Sequence, residues 1–340
     1  MYVLYSRGFL AKVIATASPF ILWTVIAVWG ILVLPGATGV KESVVDGTCR
    51  QPHAEISFAA RPYTGLLLID KQLCILVEIF SQSFRPLGLH FTQHLLWGLP
   101  SLIMIILFEG ARHDRPWFFN SLLVGVLYQL WTIGLALSIL WIPFVFTFQG
   151  GGARSRVSRG DAEGALVATL LGYYIPTVIM FTTKSAVAIA LWQAFPIYIA
   201  IVQYIWSKCR SKGFLPSPAI GVQSALTITI ITASVIQFYT LYPSINTITL
   251  TSIKEWLPIW TPPPGYIMPT DEAVRGFLQD DAFTAYGATI TAGLLMMDSG
   301  ADALLWLTLA PIGMMVLHPA GYIAAIWMKR ERNLPFKKIE

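Results

Sequence analysis

Apolar runs of about twenty residues recur along almost the whole chain, and nothing else in the sequence restricts its fold as strongly. A run of that length crosses the ~30 Å hydrocarbon core of a bilayer as an α-helix. Eight such spans are predicted, at residues 13–34, 63–83, 90–109, 118–148, 165–183, 187–206, 219–242 and 303–328. Residues 282–297 make a shorter apolar piece, read as a partial or interfacial helix. The loop 243–281 before it is too rich in proline for a helix interior and is read as lying on the membrane surface. Only 12% of the 340 residues are charged, about half the roughly 25% of a soluble domain. So few charges cannot cover a protein of this size, and much of its surface must face lipid. The expected fold class is all-α: a polytopic membrane helix bundle of about eight transmembrane helices plus one short partial or interfacial helix, forming one integral membrane domain over residues 1–340.

Basic residues sort to one side of such a bundle. Arg7 and Lys12, Arg85, the Arg154–Arg159 loop, the Lys208–Lys212 loop and the tail KRERNLPFKK all fall there. The positive-inside rule then places both termini in the cytosol, with the endoplasmic reticulum as the expected membrane. Arg7 and Lys12 precede the first run as they would in a signal peptide. That run is longer than a usual signal core and LPGATG is a poor cleavage site, so a retained helix is expected. The net charge of +5 is spread over short loops, which gives no footprint for nucleic acid. Membrane lipid and a lipophilic small molecule are the expected partners. Cys49, Cys74 and Cys209 are odd in number and lack metal-ligand spacing, so isolated thiols are expected. No P-loop, HExxH, GxGxxG or nucleophile elbow stands in a supporting context, so no cofactor is called for.

Chemistry must then come from polar side chains held at membrane depth, where a charge is costly and usually faces a cavity or a partner. The second predicted span carries Asp70, Lys71, Cys74 and Glu78 on adjoining stripes of one helical face. That face is expected to point into the bundle. It carries either an internal ion pair of Lys71 with Glu78 or Asp70, or a carboxyl group that a dry site equips as a Brønsted acid. Glu109, Arg112, His113, Asp114 and Arg115 read as a solvated helix end. Tyr128, Gln129 and Trp131 either pack or line a pocket whose ring faces stabilise a cation. Asp298 and Asp302 form a DxxxD pair that suits either Mg²⁺ and a diphosphate or a helix N-terminus. The second, longer aspartate motif of metal-dependent prenyltransferases is missing, and Asp280–Asp281 in LQDDAF does not extend to DDxxD. No metal site is expected.

Two segments, LLLIDKQLCILVEIF and FEGARHDRPWFFNSLLVGVLYQLWTIGLALSILWIPFVF, resemble the fungal transmembrane terpene cyclases of meroterpenoid and indole-diterpene pathways, including the ascofuranone-type cyclases. Matching positions are Asp70, Leu73, Cys74, Glu109, Arg112 and Gln129. His113-Asp114-Arg115 stands where the family has Gly-Asn, and Pro143-Phe144-Val145 where it has Pro-Leu-Tyr. The resemblance implies protonation of a terminal epoxide or alkene of a prenylated substrate, with no metal or redox cofactor. Asp70 is the first candidate acid, with Glu78 and Glu109 next. Cys74, Arg112, Tyr128, Gln129, Trp131, Asp298 and Asp302 are candidates for contacting the substrate. The competing readings are a membrane transporter or scaffold, and a metal-dependent prenyltransferase, which EDTA would silence.

Overall fold

The computed structural model describes residues 2–33, 44, 49, 63–112, 115–149, 157–211, 220–241 and 268–334. His113, Asp114 and most of the loop 243–281 lie outside the described residues. Among those described, every regular element is helical. α1 (Tyr2–Val28) runs into a π-helical turn at Trp29–Val33. α2 (Leu67–Ser83) and α3 (Pro86–Ala111) follow, with Pro86 in the first turn of α3, where a missing N–H is harmless. Next come α4 (Ser121–Trp131), α5 (Ile133–Gln149) and α6 (Arg159–Thr169). A second π turn at Leu170–Tyr174 joins α6 to α7 (Ile175–Thr183). α8 (Ala186–Trp192), α9 (Phe195–Ser211), α10 (Val222–Leu241), α11 (Thr270–Leu295), α12 (Gly300–Leu317) and α13 (Pro319–Asn333) complete the chain.

Burial sorts these helices in the way lipid demands. The apolar window of α3 is 83% buried, whereas that of α12 is 6% buried and turns Leu304, Leu307, Ile312 and Met315 outward. A patch of that kind is untenable in water and ordinary in a bilayer. α3 and α11 form the centre of the bundle, and α5, α10 and α13 pack around them. Among the described residues, four helices are long and apolar enough to cross a membrane: α3, α6 with α7, α10 and α12. The pair α8–α9, bent by 48°, makes a fifth when it is counted as one span.

The expected count of eight spans is therefore not reached by the described helices. Three of the predicted spans are broken, 187–206 at the α8–α9 bend and two more at positive φ. Thr132 adopts φ 78° and splits 118–148 into α4 and α5, while His318 adopts φ 68° and splits 303–328 into α12 and α13. The His318 break is stitched in place by its ring. Nδ1 accepts from Ala320 N at 3.0 Å, which leaves Nε2 to donate to the His94 carbonyl of α3 at 3.1 Å. The short piece 282–297 is corrected in the other direction. It is the second half of α11, which begins at Thr270, inside the predicted surface loop, and is largely buried.

The expectation of isolated thiols fails for two of the three cysteines. Cys49 and Cys74 form a disulfide, and Cys209 is free. The bridge ties the segment after α1 to the second turn of α2, where Cys49 N donates to Val44 O at 3.1 Å. Maleimide labelling of the solubilised, unreduced protein is expected to modify one cysteine per chain, and all three after reduction and unfolding. Three labels without reductant would show the pair to be open.

Candidate active site

An apolar cavity of about 360 Å³ lies between α2, α3, α11 and the junctions α4–α5 and α8–α9, within the roughly 300–1,000 Å³ range of small-molecule sites. Three helices supply it by simple periodicity. Gln72, Ile75, Leu76 and Ile79 come from one stripe of α2, Leu95, Leu96 and Leu99 from α3, and Val274, Phe277, Leu278 and Asp281 from α11. The two junctions supply the irregular part. Both the break at Thr132 and the bend at Gln193 open onto this space. Non-helical backbone at membrane depth is tolerated where it lines a cavity, which accounts for the position of both.

One wall is a continuous aromatic surface. Trp192 meets Phe80 edge-on at 5.0 Å between centroids and Phe195 at 5.1 Å, and Tyr128 stacks on Phe195 at 5.8 Å. The rings are fixed from behind. Trp192 Nε1 donates to Thr177 Oγ1 at 2.9 Å, and Tyr173, which packs on both Trp192 and Phe195, donates its hydroxyl to Leu96 O at 2.6 Å. Ring faces held in this way offer a fixed negative potential to a cation.

Asp281 is the one carboxylate among the described lining residues. The start of α5 grips it. Gly134 N donates to Asp281 Oδ1 at 2.7 Å, with the Thr132 hydroxyl and Ile133 N–H beside it. This needs glycine at 134, because a Cβ there would strike Thr284 Oγ1 and crowd Asp281 O. The neighbouring Asp280 leaves the helix about 100° away and lies against Gly30 of the π turn after α1. The two acids therefore do not converge.

Several expected site residues stand elsewhere. Asp70 lies outside the cavity and is engaged by backbone donors. It sits at the start of α2, where Oδ1 accepts from Tyr63 N, Thr64 N and Thr64 Oγ1 at 3.1, 2.7 and 2.9 Å, and Oδ2 from Gly65 N at 2.9 Å. Lys71 is exposed, and Glu78 accepts from Gln82 Nε2 at 2.7 Å instead of pairing with it. Cys74 is in the disulfide. Trp131 is 46% exposed, outside the cavity. Asp298 accepts from Asn333 Nδ2 at 2.7 Å, and Asp302 lies in the first turn of α12 behind the N-cap Ser299.

Glu109 and Arg112 do come together, in a buried cluster away from the cavity and not at a solvated helix end. Arg112 Nε donates to Glu109 Oε2 at 2.8 Å, Arg330 Nη1 to Glu109 Oε1 at 2.5 Å, and Trp327 Nε1 to the same oxygen at 3.2 Å, while Arg112 also pairs with Glu331. Guanidinium and indole donors thus occupy both Glu109 oxygens. Of the expected residues, Tyr128 and Gln129 line the cavity. Asp281, Thr132 and Gln193 were missed. The apolar stretch read from the sequence began one residue after Asp281, and the legible signal was the spacing Val274, Phe277, Leu278, Asp281 across the supposed loop end.

No curated protein and no solved structure matches the chain. Residues 16–332, nearly its full length, match the CtvD domain, so this cavity-bearing membrane protein belongs to the CtvD family, which is related to fungal meroterpenoid and terpene cyclases.

Proposed function

We propose that the protein is a membrane-embedded terpene cyclase that starts cyclisation of a prenylated precursor by protonation, with Asp281 as the acid. The observation that carries this reading is a carboxyl group, the one among the described lining residues, in an apolar, aromatic-walled cavity within a lipid-facing bundle. Asp281 gives its proton to a terminal epoxide oxygen or alkene carbon. The C–O bond or π-bond breaks, and a neighbouring alkene closes on the resulting cation. Phe80, Trp192, Phe195 and Tyr128 supply the ring faces along which that cation travels. An internal hydroxyl or proton loss ends the sequence and returns a proton to the acid, so the product is an isomer of the substrate. Apolar walls keep water from intercepting the cation. A lipophilic substrate reaches such a site from the membrane.

The chemistry asks for no metal, and Asp280 and Asp281 diverge where a chelating pair would converge. The endoplasmic reticulum is the proposed membrane, with both termini cytosolic. The Cys49–Cys74 bridge supports this, because it follows the first helix and so falls on the lumenal, oxidising side.

The test is to incubate membranes containing the protein with epoxidised farnesyl phenols and geranylgeranyl indoles, with and without EDTA. A new product of unchanged mass in both arms is the expected result. Loss of that product with EDTA would favour a metal-dependent prenyltransferase. No conversion by folded protein across a broad panel would favour a transporter or scaffold.

A further inference from the structure

Gln193 is the irregular polar group of this cavity. It ends α8 at the bend toward α9, lines the cavity, and is 6% exposed. Its backbone N–H is used in the helix end, donating to Ile189 O at 3.2 Å. Its side chain is not used: neither Nε2 nor Oε1 has a hydrogen-bond partner among the described residues. Two other buried or half-buried amides, Gln72 of the cavity wall and Gln237 outside it, are engaged. Gln72 Nε2 donates to Gln129 O at 3.4 Å, and the amide of Gln237 joins His94 at 2.6 Å and Met315 O at 2.9 Å. A buried amide with both ends unmatched is costly, and a leucine in its place would remove that cost. Its presence at a cavity wall points to a ligand that completes it.

We propose that Gln193 anchors the substrate's polar head, and that this head presents a hydrogen-bond acceptor and a donor on neighbouring atoms, as a carboxamide, a carboxylic acid or a hydroxyl beside a carbonyl does. Along one edge a primary amide presents an N–H donor beside a carbonyl acceptor, so a single group with the reverse pair satisfies both ends at once. A pure hydrocarbon satisfies neither. Most of the remaining wall is apolar, with Asp281, Thr132, Gln72 and Gln129 as the other polar residues among the described lining, which suits a terpenoid chain. The head at Gln193 on the α8–α9 bend and the reacting end at Asp281 on α11 then fix the direction in which the chain lies. This assignment rests on the cyclase reading for its reacting end, but the head-group contact has its own test.

The probe is an aryl carboxamide with a fully saturated prenyl-length chain, compared with its N,N-dimethyl derivative, which keeps the acceptor and loses the donor. Neither compound can react, so equilibrium binding to the purified protein reads recognition alone. The natural protein is expected to bind the primary amide roughly ten- to a hundredfold more tightly. Gln193→Leu is expected to bind the two alike. A preference that survives Gln193→Leu would overturn the assignment. So would the absence of any preference in the natural protein, a result that does not depend on whether the variant folds. A preference lost in Gln193→Leu, in a protein that converts no reactive substrate, would leave the head-group contact standing and sink the cyclase reading alone.

Discussion

Asp281→Asn is expected to leave the protein folded and to lower turnover by roughly a hundred- to ten-thousandfold, the usual contribution of a general acid. The substitution is chosen for what it keeps. An asparagine Oδ1 still accepts from Gly134 N, so the grip of α5 on α11 survives along with the close crossing that Gly134 permits. Only the transferable proton is lost. Thermal unfolding of the two proteins should coincide while the isomeric product disappears from the mass-spectrometric trace. Asp70→Asn is the paired comparison. Its carboxyl caps the 63–65 turn at the start of α2, outside the cavity, and turnover should be retained. The opposite pattern, with Asp70→Asn silent and Asp281→Asn active, would move the acid to the start of α2 and require the cavity to be rejected as the site.

The comparison of sequence and structure turns on a few residues. Hydrophobic runs gave the all-α class, because a helix is the economical way to satisfy every backbone group in lipid. They did not give the breaks. Thr132 and His318 hold positive φ without being glycine, so no local preference announces them, and only the cavity and the His318 ring contacts explain their positions. α2 shows the same limit. Its charged stripe drew attention because charge at membrane depth is costly, yet Lys71 is exposed and the cavity takes the neighbouring stripe of Gln72, Ile75 and Ile79. α11 was cut in half because Asp280 and Asp281 interrupt its hydropathy. Those acids are accommodated by contacts with distant residues, Gly30 and Gly134, which no window along the chain can see.

Glu109→Ala is expected to have the largest effect on stability, about 3–5 kcal/mol, the range seen when one partner is removed from a buried ion pair. Arg112 and Arg330 both donate to Glu109, and both are buried, 1% and 4% exposed. Without the carboxylate, Arg330 loses its ion-pair partner, while Arg112 retains Glu331. Glu331→Gln should therefore cost less, because Arg112 keeps Glu109. The cluster joins the end of α3 to α13 and does not line the cavity, so turnover per folded molecule should be unchanged in Glu109→Gln, which preserves shape while removing charge. Unfolding in detergent, followed alongside product formation, separates the two carboxylates by opposite signatures. Asp281→Asn loses chemistry at constant stability, and Glu109→Gln loses stability at constant chemistry. A Glu109→Gln protein that melts normally but forms no product would reverse that assignment and make Glu109, held between two arginines, the residue on which the reaction depends.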